Sequence, residues 1–161
     1  MEQRVSESTV IAVEPGVAYD AVANVSAMGR WSPECTGADV KGAAGGEVRV
    51  GTRFTGRNTA ARGRSWSTDC EVTAAERGQR FAFRVRAVGL SVAEWSYAFE
   101  PVESGTATKV TESWVDQRGR LMRFISSFVT GVRDRAEANR RNMEVTLRRL
   151  KEELEGRREP A

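Results

Sequence analysis

The side chain best suited to chemistry is a carboxylate on the apolar face of a predicted strand. Glu112 shares its strand parity with Val110 and Trp114, which predicts that all three point inward. An inward carboxylate would be a desolvated acid or base, or an anchor for a ligand hydroxyl. The alternatives are a buried ion pair with an arginine such as Arg57 or Arg123, or a bulge that turns Glu112 outward.

Histidine is absent from the sequence, which excludes several kinds of active site. Without it the chain has no Ser-His or Cys-His nucleophile pair and lacks the commonest metal ligand. The two cysteines, Cys35 and Cys70, are too few and too far apart for a zinc site. We therefore predict no metal and no cofactor, and we expect both cysteines to be free thiols that pack as small hydrophobes.

Other polar side chains share the predicted inner face. Asn58 on a strand and Asn139 on the C-terminal helix can each donate to and accept from a ligand carbonyl or hydroxyl. The alternative is that each satisfies the backbone or water at one end of a cavity. Tyr97, Thr68 and Cys70 offer hydroxyl and thiol groups on the same wall, although a tyrosine in an aromatic stripe is more often core.

The elements that position these groups follow from periodicity. A β-branched run at residues 5–13 predicts a strand, and residues 15–25 and 28–33 predict two short helices. Between residues 35 and 117, alternation broken by glycines predicts six antiparallel strands. Their inner face is aromatic and includes Phe54, Trp66, Phe81, Phe83, Trp95, Tyr97 and Phe99. Their outer face carries Arg53, Arg57, Arg84 and Arg86.

The last quarter of the chain has helical period. Its apolar stripe comprises Leu121, Ile125, Phe128, Val132, Ala136, Asn139, Met143, Leu147, Leu150 and Leu154. Gly131 divides this pattern into a lid at residues 121–130 and a main helix at about 132–155. Basic and acidic residues alternate on the opposite face, which is typical of a solvated helix rather than of a nucleic-acid contact.

Length and composition predict one domain at residues 1–155, followed by a polar tail at 156–161. The 161 residues are 40% hydrophobic and 29% charged, with a net charge of +3, which suits a globular protein with a single core. No apolar run approaches the length of about 20 residues that spans a bilayer. The first residues lack the basic and apolar regions of a signal peptide, so we expect a cytoplasmic protein.

The order of elements and several motifs resemble the START-like (SRPBCC, helix-grip) superfamily. The motifs are MGRWSPEC at 28–35, GTRFTGRN at 51–58, RSWSTDCEV at 64–72, RFAFRV at 80–85 and WSYAFEPVESGTATKVTESW at 95–114. The resemblance is strongest to bacterial polyketide cyclase/dehydrase-like and lipid-transport-like proteins. It implies an α+β fold in which a curved seven-stranded antiparallel sheet wraps a long C-terminal helix, with two short helices after the first strand.

The resemblance also implies a ligand cavity between the sheet and that helix. Its predicted lining is Trp31, Phe54, Asn58, Trp66, Thr68, Phe83, Trp95, Tyr97, Trp114, Phe128 and Asn139. Trp31 would lie at the cavity mouth with Ser32 and Glu34, as a ligand contact or as a cover over the core. We expect Glu112 to be the main polar group of this cavity.

Two functions stay open at this point. The first is binding of a hydrophobic, aromatic or polyketide-like small molecule, with no nucleic-acid partner and a homodimer left open. The second is a polyketide cyclase, aromatase or dehydratase that uses Glu112. Related aromatase/cyclases use an inward arginine or a tyrosine and hydroxyl pair. The outer parity of the strand arginines argues against the enzyme, unless Arg123 or another residue of the lid reaches into the cavity. A third, weaker hypothesis is a protein partner for the lid, through Met122, Phe124 and Val129.

Overall fold

A curved antiparallel sheet organises the fold. The computed structural model describes residues 3–42, 47–60, 63–119, 122–123 and 134–157. Its strands are β1 (Arg4–Ile11), β2 (Cys35–Val40), β3 (Arg53–Thr59), β4 (Ser65–Glu76), β5 (Arg80–Ala87), β6 (Leu90–Val102) and β7 (Ala107–Asp116). They form one sheet in the order β1-β7-β6-β5-β4-β3-β2. The predicted seven-stranded antiparallel fold is therefore confirmed.

Two short helices connect β1 to β2, as predicted. The helix α1 (Pro15–Ala23) begins at a proline, whose fixed φ suits the first helical turn. The second is a 3-10 helix at Val25–Arg30, three residues earlier than expected. It ends early because Ser32 forms a turn into β2, in which its hydroxyl accepts a hydrogen bond from the Cys35 amide at 3.0 Å. Gly29 allows this close approach, since a Cβ there would lie 2.6 Å from the Thr36 carbonyl oxygen.

The long C-terminal helix α2 (Arg135–Gly156) lies along the concave face of the sheet. Its N-cap is Asp134, whose side chain accepts a hydrogen bond from the Glu137 amide at 3.0 Å. Its buried stripe comprises Asn139, Met143, Thr146, Leu147, Leu150 and Leu154. Near its C-terminus the Lys151 ammonium donates to the Val10 carbonyl at 2.6 Å, which fixes this end of the helix to the end of β1.

Aromatic side chains fill the core beside α1. Tyr19 of α1 packs edge-on against Phe81 and Phe99, with ring centroids 6.2 and 5.6 Å apart. On the other side of the sheet Arg53 and Arg57 are exposed and Arg84 is half-buried, as the strand parity indicates. Arg86 was expected there too, but the register shifts between Val85 and Arg86, and this exposed residue borders the space between the sheet and α2. Most of the predicted lid, with Phe124, Phe128, Val129 and Gly131, lies outside the described residues, as do positions 158–161.

Candidate ligand-binding site

A cavity of about 520 Å³ lies between the sheet and α2. Nine of the predicted lining residues form its walls: Phe54, Asn58, Trp66, Thr68, Phe83, Trp95, Tyr97, Trp114 and Asn139. The concave face of the sheet supplies eight of them, because residues two apart on a strand share a face and register aligns the strands. Phe83, Trp95 and Trp114 follow one another across β5, β6 and β7 as direct cross-strand partners. The cavity therefore has a continuous aromatic wall.

Two predicted lining residues, Trp31 and Phe128, are not among these nine. Trp31 is buried in the core at the end of the 3-10 helix and does not line the cavity, which corrects the expectation for this residue. The chain turns there, and the Trp31 carbonyl accepts from the Arg149 guanidinium of α2 at 3.5 Å. Its neighbours Ser32 and Glu34 do line the cavity. Phe128 lies outside the described residues.

Glu112 stands in the cavity wall and is only 3% exposed. Its register partner on β6 is Tyr97, whose hydroxyl donates to Glu112 Oε1 at 2.7 Å. The other oxygen, Oε2, is buried and has no hydrogen-bond partner within the described residues. Burial raises the pKa of Glu112 to about 7, and the hydrogen bond from Tyr97 offsets only part of this shift. At neutral pH this carboxyl group can therefore both give and take a proton.

The arginines that sequence reasoning offered as partners for Glu112 contact other carboxylates. Arg57 pairs with Asp39 on the outer face, and Arg123 Nε lies 3.2 Å from Asp116 Oδ2. The side chain that donates to Glu112 is instead a phenol. Burial raises the pKa of Tyr97 well above its usual value, and the charge of Glu112 raises it further, so the phenol keeps its proton.

Asn58 and two neighbours form a polar ledge elsewhere on the wall. The Asn58 amide donates to the Thr68 hydroxyl at 3.4 Å, and the Gly56 carbonyl is 3.5 Å away. Thr68 Oγ1 lies 3.8 Å from Cys70 Sγ. Burial raises the pKa of Cys70 to about 12, so this free cysteine stays a neutral thiol and is a poor nucleophile at neutral pH.

Asn139 faces the cavity from α2. It is 3% exposed and lines the cavity, so its side-chain amide is placed to contact a ligand there. Asn58, on the opposite wall, bonds instead to Thr68.

A polar cluster joins β2 to α2 at the cavity mouth. Arg135 Nη1 lies 2.9 and 3.0 Å from the two oxygens of Glu34, and the Asn142 amide donates to Glu34 Oε2 at 3.0 Å. The Arg135 guanidinium also stacks over Trp66, 5.6 Å from the ring centroid. Sequence reasoning placed Glu34 at the mouth but missed Arg135 and Asn142, because 101 residues separate Glu34 from Arg135 and no local pattern links them.

The described residues contain no group of three or more His, Cys, Asp or Glu side chains arranged to hold a metal ion. Among the described helices, none is both long and apolar enough to cross a membrane. Besides its aromatic side chains, the cavity lining holds the carboxyl of Glu112, the phenol of Tyr97, amides, hydroxyls, and the charged residues Glu34, Asp69, Arg86, Arg118 and Arg135.

Comparison with known proteins agrees with this architecture. Residues 2–155 match the family described as polyketide cyclase/dehydrase and lipid transport. The chain belongs to this family. The match extends over nearly the whole sequence and confirms the START-like resemblance of the sequence motifs. No curated protein matches the chain.

Solved structures of similar proteins share the fold. A polyketide cyclase-like protein from Corynebacterium glutamicum is 28% identical, with a TM-score of 0.62 and coverage of 100% of this chain and 99% of that one. A START superfamily protein from Mycobacterium smegmatis is 14% identical, with a TM-score of 0.63 and coverage of 96% and 95%. The di-domain ARO/CYC BexL from the BE-7585A biosynthetic pathway is 16% identical, with a TM-score of 0.65 over 95% of this chain and 46% of that one. The last two likenesses concern the fold alone.

Proposed function

We propose that this protein binds a hydrophobic, aromatic or polyketide-like small molecule in the cavity between the sheet and α2. The observation that carries the proposal is an aromatic cavity of about 520 Å³ with a buried, incompletely hydrogen-bonded carboxyl group in its wall. Such a cavity has the size and character of small-molecule sites, which are mostly apolar with a few placed polar groups. Burial of a few hundred Å² of ligand at about 25 cal/mol per Å² supports micromolar affinity after the costs of association.

The free energy that the folded protein loses by burying the Glu112 carboxyl group supports this proposal. A carboxyl group in an apolar wall destabilises the folded protein unless its hydrogen bonds are complete, and here one oxygen has no partner within the described residues. A leucine or glutamine would pack at this position with less penalty. A ligand that completes the hydrogen bonding of Glu112 gives the carboxyl group a function.

Tryptophan fluorescence tests the binding directly, because Trp66, Trp95 and Trp114 line the cavity. We expect saturable energy transfer from these residues to a polycyclic aromatic ligand, with a micromolar Kd. The variant Thr146→Phe adds a ring to the α2 wall of the cavity and should weaken binding at least tenfold. Arg148→Phe adds the same ring on the exposed side of α2 and is the matched control.

Absence of saturable binding to wild-type protein would overturn the proposal. Equal affinities of a folded Thr146→Phe variant and the Arg148→Phe control would place binding outside the cavity and overturn it as well. Thermal unfolding of both variants establishes that each is folded before the affinities are compared.

A cyclase or dehydratase is the second candidate, and the hydrogen-bonded pair of Glu112 and Tyr97 favours it. With a pKa of about 7, Glu112 suits general acid or base catalysis near neutral pH, where a carbon acid must lose a proton or a hydroxyl must leave. Incubation with a linear poly-β-ketone thioester distinguishes the two functions. The enzyme is favoured if cyclised or dehydrated product forms faster with the protein than without it, and if Tyr97→Phe abolishes this acceleration. Binding of the thioester without product favours the binding function alone.

A further inference from the structure

A buried carboxyl oxygen without a partner and a side-chain amide line the same cavity from opposite walls. Glu112 Oε2 belongs to β7 of the sheet and can accept a hydrogen bond. The Asn139 amide belongs to α2 and can both donate and accept. Each residue is only 3% exposed. A polar group that is buried without a hydrogen-bond partner lowers the stability of the folded protein.

The topology brings these two groups to the same level of the cavity. Glu112 is the direct register partner of Glu7 across the β1 and β7 ladder. The Glu7 carboxylate in turn lies 3.9 Å from Nε of Arg140, the residue that follows Asn139 on α2. A ligand group at this level lies between the strand that carries Glu112 and the helix that carries Asn139.

We infer that the ligand carries a hydroxyl group on its apolar body, and that Glu112 and Asn139 together hold this hydroxyl. The inference rests on the proposed function and specifies the ligand class. A hydroxyl donates to Glu112 Oε2 and accepts from the Asn139 amide, so one group bonds to both walls. An ether or ketone oxygen, which only accepts, leaves an ionised Glu112 without a donor, and a hydrocarbon satisfies neither residue.

The remaining polar groups of the wall are less suited to this role. Asn58 and Thr68 bond to each other, and Glu34 is already engaged by Arg135 and Asn142 at the mouth. Tyr97 donates its only proton to Glu112. Glu112 and Asn139 therefore form the subsite that selects the ligand.

Three pyrenes of nearly equal size test the inference. 1-Hydroxypyrene carries the hydroxyl, 1-methoxypyrene keeps the oxygen without its proton, and 1-methylpyrene lacks the oxygen. Energy transfer from the cavity tryptophans gives a Kd for each above pH 7, where Glu112 is mostly ionised. We expect wild-type protein to bind 1-hydroxypyrene about tenfold more tightly than either of the others, since one well-formed buried hydrogen bond is worth roughly that factor.

Variants assign the preference to the two residues. In Glu112→Gln, Tyr97 still donates to the side-chain oxygen and an amide nitrogen replaces Oε2, so the preference for hydroxyl over methoxy should disappear. Asn139→Leu keeps the volume without the amide and should reduce the preference for hydroxyl over methyl at least threefold, because only the methyl compound lacks an oxygen that accepts from this amide. Asn58→Leu makes the same replacement on the opposite wall and should change the affinities for all three pyrenes alike.

The outcomes separate this inference from the proposed function. If no pyrene binds to the wild-type protein, the proposed function fails and the inference fails with it. If all three bind with similar Kd values, the cavity binds apolar molecules but selects no hydroxyl, and only the inference is overturned. A tenfold preference that survives in both folded variants, Glu112→Gln and Asn139→Leu, would also overturn it.

Discussion

Two carboxylates on the same strand have opposite environments. Glu112 and Asp116 lie four residues apart on β7, and their residues are 3% and 2% exposed. Asp116 accepts hydrogen bonds from the Arg118 guanidinium at 2.8 and 2.9 Å and from the Arg118 backbone amide at 3.0 Å, and it forms an ion pair with Arg123, whose Nε lies 3.2 Å away. Glu112 receives one hydrogen bond, from Tyr97.

The pKa shifts of the two groups follow from this difference. Burial alone would raise the pKa of Asp116, but the hydrogen bonds and charge of Arg118, together with the charge of Arg123, hold it below its usual value. Burial raises the pKa of Glu112 to about 7 because one phenol compensates only part of the desolvation. A buried carboxylate whose oxygens all have partners stabilises the folded protein. A buried carboxyl group with an unpaired oxygen can instead accept a hydrogen bond from a ligand.

The largest effect that tests this comparison is the removal of the Asp116 charge. Asp116→Asn should lower the free energy of unfolding by about 2 kcal/mol at neutral pH, because it leaves two arginines without their carboxylate. Urea denaturation measures the loss. The loss should shrink in acid, since the contribution of Asp116 is present above its unfolded pKa and disappears as the pH falls through its lowered folded pKa.

The exposed pair of Arg53 and Glu71 provides a control for Asp116→Asn. These groups are 3.5 Å apart and partly exposed, so Glu71→Gln should cost less than about 0.5 kcal/mol. Equal effects of Asp116→Asn and Glu71→Gln would show that the pairing around Asp116 contributes little, and the contrast with Glu112 would lose its basis.

A smaller effect is expected from Tyr97→Phe. It removes the hydrogen bond to Glu112 Oε1 and should lower the free energy of unfolding by about 1 kcal/mol. The loss should be larger above pH 7 than in acid, because the ionised carboxylate needs the donor more than the protonated acid does. Urea denaturation across this pH range measures it. A loss that does not change with pH would mean that the phenol contributes packing alone.

The fold was predictable from periodicity because sheet and helix patterns are local. Alternation of aromatic and polar residues indicated six strands between β2 and β7, and steps of three and four indicated the stripe of α2. Strand parity also places Glu112 and Tyr97 on the inner face. The type and start of the second short helix were not predictable, because they depend on the turn at Ser32 and on the approach of Gly29 to Thr36.

The contacts between residues of the site were much harder to predict from the sequence. Parity gives the face of each strand but not the register between strands, so it could not pair Tyr97 with Glu112. Two arginines were offered to Glu112, and one of them, Arg123, is a partner of Asp116. The cluster of Glu34 with Arg135 and Asn142 joins distant parts of the chain. Trp31 was placed at the mouth by resemblance, whereas the local turn packs it into the core.

The central claim is that Glu112 serves a ligand at a cost to stability. Its folded pKa of about 7 lies above its ordinary value of 4.5, so the folded protein retains a proton that the unfolded chain releases. The contribution of Glu112 to the free energy of unfolding is therefore fully present below pH 4.5. It decreases as the pH rises to about 7, by up to about 3 kcal/mol. Glutamine does not titrate, so Glu112→Gln lacks this decrease.

The most direct measurement compares Glu112→Gln with wild-type protein in two respects above pH 7: the free energy of unfolding in urea and the Kd for 1-hydroxypyrene. We predict a variant that is at least as stable as wild-type protein and binds this ligand about tenfold more weakly. A variant that is several kcal/mol less stable and binds with unchanged affinity would contradict the account, because Glu112 would then be a structural residue.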